Sequence, residues 1–243
     1  MTAPTREGAD AASAPPPAAP LVIAIDGPSG SGKSSTARGV AERLGLAFLD
    51  TGAMYRAATW LALKTGVDRT DAVAVAQLIG DAELVIDLEP LSFSIAIDGT
   101  DVTTAIREPE VSAAVSSLAT NLEVRADLVG RQQRYIREAT GGIVAEGRDI
   151  TTVVAPDAQV RVLLVADPAA RVARRHAELG EHIDSADVTD QVIRRDRDDA
   201  TVAAFESAAP GVTVVDSTFL SLQQVVDAIC SLVPVDLLPA SRP

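Results

Sequence analysis

Gly27, Pro28, Ser29, Gly30, Ser31, Gly32, Lys33 and Ser34 fill the pattern G-x-x-x-x-G-K-[ST], and Ser35 follows them. A glycine-rich loop of this kind wraps its backbone closely around oxyanions. Its successive N–H groups and the following helix N-terminus supply positive potential. A lysine at position 33 suits the β- and γ-phosphates of a bound nucleotide. The Ser34 hydroxyl suits Mg²⁺. Such a loop works only between a strand and a helix, and the flanking sequence supplies both. Leu21–Ile25 is short, apolar and β-branched, which predicts a buried parallel strand. From Lys33 to Leu44, Ala37, Val40, Ala41 and Leu44 share one helical face, and Gly45 is a stop signal.

The same alternation continues along the chain. Further parallel strands are expected at Ala47–Leu49, Ile143–Ala145, Val160–Val165 and Val212–Val215. Helices are expected near 52–64, 109–120, 122–139, 168–179, 188–200 and 221–232. This pattern predicts an α/β fold, a five-stranded parallel sheet with helices on both faces. One stretch departs from it. Leu84–Leu88, Leu91–Ile97 and Asp101–Thr103 read as short antiparallel strands, with Asp98-Gly99 as a hairpin turn. We read residues 67–105 as a small β-rich insertion. The main domain spans 21–233, with a lid region at 168–205. Residues 1–20, rich in Ala and Pro, read as a disordered tail, and 234–243 as a flexible one.

In an open α/β sheet, ligands bind beyond the carboxyl ends of the strands. Two further segments fall at such ends. Asp50-Thr51-Gly52-Ala53-Met54-Tyr55-Arg56 follows the second strand, with Thr51 as a helix cap and Arg56 one turn in. Glu146-Gly147-Arg148-Asp149 ends the third, and Arg148 there faces the same crevice. The helix after the fourth strand carries Arg171, Arg174 and Arg175, spaced to share a face. The next carries Arg194, Arg195, Asp196, Arg197, Asp198 and Asp199. Two arginine-rich helices joined by a polar turn fit a lid closing over phosphates. His176 and His182 lie in that region and read as surface residues.

Composition narrows the ligand class. The 243 residues carry a formal charge of −13, from 21 basic and 34 acidic side chains. An acidic chain argues against DNA or RNA as a partner, but not against small anions. All basic residues except Lys33 and Lys64 are arginine, whose rigid fork suits phosphate. One cysteine, Cys230, excludes an internal disulfide and reads as a buried structural thiol. No run has the length of a membrane span. A soluble, cytoplasmic monomer is the expectation.

Together these residues resemble bacterial cytidylate kinases, nucleoside monophosphate kinases that phosphorylate CMP and dCMP. The likeness spans about residues 21–230. It rests on Ile25–Ser35, Asp50–Arg56, Glu146–Ile150, the lid residues Arg195, Asp196 and Asp199, and the segment from Ile106-Arg107 through Val111, Ser116, Val124 and Arg125. The resemblance implies that Thr51, Tyr55 and Arg56 line the CMP site, with Arg56 on the α-phosphate. It implies that Ser116, Arg125 and Asp149 read cytosine, and that Arg148 meets the acceptor phosphate. Arg195 and Asp199 would approach the acceptor phosphate and pentose. Arg171, Arg174 and Arg175 would neutralise the transferred group. The implied reaction is ATP plus CMP or dCMP to ADP plus CDP or dCDP, with Mg²⁺. Ala200 and Val202 depart from the family's usual serine and arginine, a proline is missing from the lid, and Thr151 replaces a usual glycine. The alternatives are another small-molecule P-loop kinase, acting on a different monophosphate or on shikimate, or an ATP-binding module with impaired catalysis. A P-loop GTPase lacks support, because no N-K-x-D segment occurs.

Overall fold

The computed structural model describes residues 20–179 and 207–238, together with 197, 201 and 203. Five parallel strands form the main sheet: β1 (Val22–Asp26), β2 (Ala47–Asp50), β6 (Ile143–Gly147), β7 (Val160–Val165) and β8 (Thr213–Asp216). Their order is β2-β6-β1-β7-β8, so β1 lies at the centre. β1, β2, β6 and β7 are largely buried on both faces while the edge strand β8 is mostly exposed, and the alternation of the buried strands sorts side chains into two cores. Ala24, Leu49, Ile143 and Ala145 point to one side, where α2 (Thr51–Thr65), α4 (Pro109–Ala119) and α5 (Leu122–Glu138) pack. Ile23, Ile25, Phe48 and Val144 point to the other, against α1 (Lys33–Leu44) and α7 (Leu222–Cys230). Helix α6 (Pro168–Leu179) follows β7. Cys230 at the end of α7 is half-buried rather than buried.

A three-stranded antiparallel sheet, β3 (Leu84–Ile86), β4 (Ile95–Ile97) and β5 (Thr100–Asp101), stands beside the main one. Its β4–β5 turn places Asp98 and Gly99 at φ 48° and 72°, the left-handed pair that such a hairpin demands. The structure corrects the reading of 67–105 as β-rich in one respect: the segment begins with helix α3 (Ala72–Asp81). Val73, Val75 and the intervening alanines alternate as a strand would. The Asp71 side chain accepts from the Ala74 N–H at 3.0 Å, however, and starts a helix that buries Val75 and Ile79. Arg131 from α5 donates to the Ala82 and Ile79 carbonyls at 2.7 and 3.0 Å, closing the helix's C-terminus. Tyr135, also on α5, donates its hydroxyl to the Leu84 carbonyl and accepts from the Ile86 N–H, each at 3.3 Å.

Candidate active site

The carboxyl ends of β1, β2 and β6 open onto one cleft of about 710 Å³. Its wall carries Lys33, Arg38, Arg56, Arg107, Arg125, Arg148 and Arg175 against Glu42, Asp50, Glu146 and Asp149. A chain of charge −13 therefore concentrates cations where an anionic ligand would enter.

The glycine loop joins β1 to α1. Gly30 has φ 73°, and a Cβ there would stand 2.5 Å from the Arg171 carbonyl oxygen, so the loop needs glycine twice over. Lys33 reaches back over the loop, its Nζ 3.3 Å from the Pro28 carbonyl. Helix α6 is tied to the same loop. Arg171 donates to the Ser29 carbonyl at 3.0 Å, and Arg174 to the Ser31 carbonyl at 3.3 Å. Arg174 also donates to the Ser217 hydroxyl and carbonyl at 2.9 and 2.6 Å, fixing the turn after β8. Arg175 lines the cleft.

At the second strand end the structure corrects the helix cap. Asp50, not Thr51, caps α2, accepting the Ala53 N–H at 2.7 Å. Thr51 instead donates its hydroxyl to the Glu146 carbonyl at 2.8 Å, lacing β2's end to β6. Arg56 pairs with Asp50 at 3.0 Å. Burial works to raise the Asp50 carboxyl, but Arg56, the Ala53 N–H, Arg107 and Lys33 outweigh it and hold the group below its ordinary value. Tyr55 and Arg56 both line the cleft.

Glu146 is a residue that the sequence reading assigned no role in the site. It is buried at the end of β6, opposite Asp50 in register. Ser34 donates its hydroxyl to Glu146 Oε1 at 2.6 Å. Burial, then the neighbouring Asp50 charge, pushes the Glu146 carboxyl up to about 7. The available signal was that an acidic residue directly follows each of two strands expected to be buried. Ser34, Asp50 and Glu146 offer an all-oxygen donor set with two carboxyl groups, the chemistry that a hard dication takes. Mg²⁺ therefore fits these residues.

Arg125 on α5 and Asp149 beyond β6 form an ion pair. Both line the cleft. Arg148 donates to the Gly27 carbonyl of the glycine loop, so its main-chain anchor lies on the donor side. On α4, Ser112, Val115 and Ala119 line the cleft, and Ser116 lies on the same helical face without being a wall residue. Arg195, Asp199, Ala200 and Val202 lie outside the described residues.

A family model described as cytidylate kinase matches residues 23–235. A cytidylate kinase of Cutibacterium acnes is 61% identical over 222 residues, covering 90% of this chain and 98% of that protein. A cytidylate kinase of Streptomyces avermitilis is 43% identical over 215 residues, covering 88% of this chain and 92% of that one. A bifunctional pantoate ligase/cytidylate kinase of a Synechococcus species is 45% identical over 217 residues, covering 86% of this chain and 43% of that protein.

Proposed function

The chain belongs to the cytidylate kinase family, and we propose that the basic cleft at the strand ends is where the γ-phosphate of ATP passes to CMP or dCMP. The observation that carries this reading is convergence. The glycine loop, Arg56, Arg148 and the Arg125–Asp149 pair come from four separate chain segments and meet on one cavity. Family membership does not favour a shikimate-type kinase or an ATP-binding module without turnover.

Phosphoryl transfer asks a protein for placement and charge neutralisation more than for covalent chemistry. The loop amides and Lys33 hold the donor phosphates. Ser34, Glu146 and Asp50 would hold Mg²⁺, which would supply charge neutralisation on the donor phosphates. Arg56 and Arg148 orient the acceptor phosphate, and Tyr55 and Thr51 wall its site. Arg125 and Asp149 present a donor and an acceptor to the base, a pattern complementary to cytosine's amino and carbonyl edge. Of the helix α6 arginines, Arg175 is the one on the cleft wall. Arg171 and Arg174 brace the loop that carries the donor. The protein acts as a cytoplasmic monomer, and its partners are nucleotides rather than nucleic acid or membrane. Among the described residues no helix is long and apolar enough to cross a membrane.

The test is ADP release from the full chain with ATP and Mg²⁺ across CMP, dCMP, UMP, AMP and shikimate. CMP and dCMP should lead by at least about tenfold in kcat/KM. Shikimate or AMP in first place would overturn the acceptor assignment. Lys33→Ala should lose more than about 1.4 kcal/mol of transition-state stabilisation, a tenfold fall in kcat/KM.

A further inference from the structure

Asp26 ends β1 and is almost fully buried, yet it lies one residue before the glycine loop and is not part of it. In the sheet it is the register partner of Gly147, the residue before Arg148. Its carboxylate accepts three hydrogen bonds from one short segment. The Ile150 N–H reaches Oδ1 at 2.8 Å, and the Thr151 N–H reaches Oδ2 at 2.8 Å. The Thr151 hydroxyl adds a third, to Oδ2 at 2.6 Å.

These contacts answer a local need. Ile150–Val154 forms a single π-helical turn, and the first N–H groups of any helical turn lack partners within it. The residue placed to cap them is Asp149, whose side chain makes no cap bond. Asp149 pairs with Arg125 across the cleft instead. Asp26 takes over the capping from a different strand. Were the turn capped from its own N-cap position, the Asp149 carboxylate would bend back onto the Thr151 or Thr152 N–H and leave the cleft wall. The Thr151 hydroxyl gives the carboxylate a further donor that a glycine at that position cannot.

We propose that Asp26 and Thr151 are positioning residues: by capping the Ile150–Val154 turn in place of Asp149, they aim Asp149 at the acceptor base and so set the choice of base. The proposal rests on Asp149 and Arg125 being the base-reading pair. It also explains why Arg148 and the glycine loop share an anchor. Asp26 leads directly into Gly27, whose carbonyl takes the Arg148 guanidinium. Donor loop and acceptor reader thus hang from one buried carboxylate.

Thr151→Val removes the hydroxyl and keeps both main-chain bonds to Asp26, so the turn retains most of its anchoring. The measurement is CMP and UMP affinity by titration calorimetry, with kcat, KM for ATP and Tm taken on the same samples. The expected result is a fall in the CMP-to-UMP affinity ratio of about five- to tenfold, the scale of a weakened charged hydrogen bond. KM for ATP should stay within about twofold. Thr151→Ser, which keeps the hydroxyl, should restore the wild-type ratio. A lower Tm with an unchanged affinity ratio makes the pair merely structural and overturns the proposal, as does a serine variant that behaves like valine. A wild-type chain that makes no CDP overturns this proposal and the kinase reading together. A chain that makes CDP while Thr151→Val keeps its base ratio overturns this one alone.

Discussion

Asp50 and Glu146 end neighbouring parallel strands as register partners, so two buried carboxylates stand side by side at the mouth of one cleft. Their environments separate them. Asp50 has Arg56 at 3.0 Å and stays ionised, whereas the Glu146 carboxyl accepts the Ser34 hydroxyl at 2.6 Å and holds its proton to about pH 7.

That separation makes stability depend on pH. In the unfolded chain Glu146 releases its proton near 4.5, and in the folded one near 7. A group whose folded pKa is raised favours the native state below its unfolded value, and that contribution is lost as pH rises through the folded value. The metal-free protein should therefore lose on the order of 3 kcal/mol between about pH 4.5 and 7 relative to Glu146→Gln. Asp50 titrates below this window, because its carboxyl is held down. Urea unfolding of both proteins at pH 5 and 8, without Mg²⁺, reads the difference. Parallel stability curves would remove the strain assigned to Glu146.

Mg²⁺ should relieve the same strain. With the cation among Ser34, Asp50 and Glu146, Glu146 stays ionised at neutral pH. Glu146→Gln keeps the shape and loses the charge. The Mg²⁺ concentration giving half-maximal rate should rise by about tenfold, near 1.4 kcal/mol. Ser34→Ala should move it in the same direction. An unchanged Mg²⁺ dependence in both variants places the cation elsewhere.

The parts of the fold that are local in sequence were legible there. The bounds of α1 and β7 follow from caps and apolar runs, and the structure places them at Lys33–Leu44 and Val160–Val165 as expected. Helix α3 was missed because its alternating valines mimic a strand, and the Asp71 cap together with packing of Val75 and Ile79 against the core decides otherwise. The site shows the same division. Lys33, Arg56, Arg125, Arg148 and Asp149 carry spacing or family signals, and all line the cleft. Glu146 is a lone acidic residue in an apolar run until β2 brings Asp50 beside it. Thr151 looked like a departure from a glycine pattern. Its partner Asp26 is 125 residues away, a separation that no local pattern reveals.

The ion pair between Arg125 and Asp149 predicts coupled effects on base choice. Each single alanine variant strands the partner's charge in a mostly buried place, which costs more than the pair contributes. Arg125→Ala and Asp149→Ala should each reduce the CMP-to-UMP ratio of kcat/KM by at least about tenfold, with KM for ATP little changed. The double variant should be no worse than the poorer single one, because the two act as a unit. A uniform loss of rate with base preference intact would make the pair a structural strut.

Gly147 joins the two halves of the site, between Glu146 and Arg148, and it is tightly enclosed. A Cβ there would meet Thr51 Oγ1 at 2.5 Å and Ile150 Cδ1 at 2.8 Å. Ile150 can shift its terminal methyl, but the Thr51 hydroxyl is held by the Glu146 carbonyl at 2.8 Å. Gly147→Ala should therefore destabilise the protein by about 1–3 kcal/mol, the usual cost of overpacking. It should also raise KM for CMP, because relief of the clash pushes Arg148 and Asp149 off their line. Thr51→Ala removes the nearest obstructing atom. Combined with Gly147→Ala, it should cost less than the two single losses together, since the second change removes the clash that the first creates. Thermal or urea unfolding of the four proteins gives the coupling. Strict additivity would mean that the glycine is not held by its contact with Thr51.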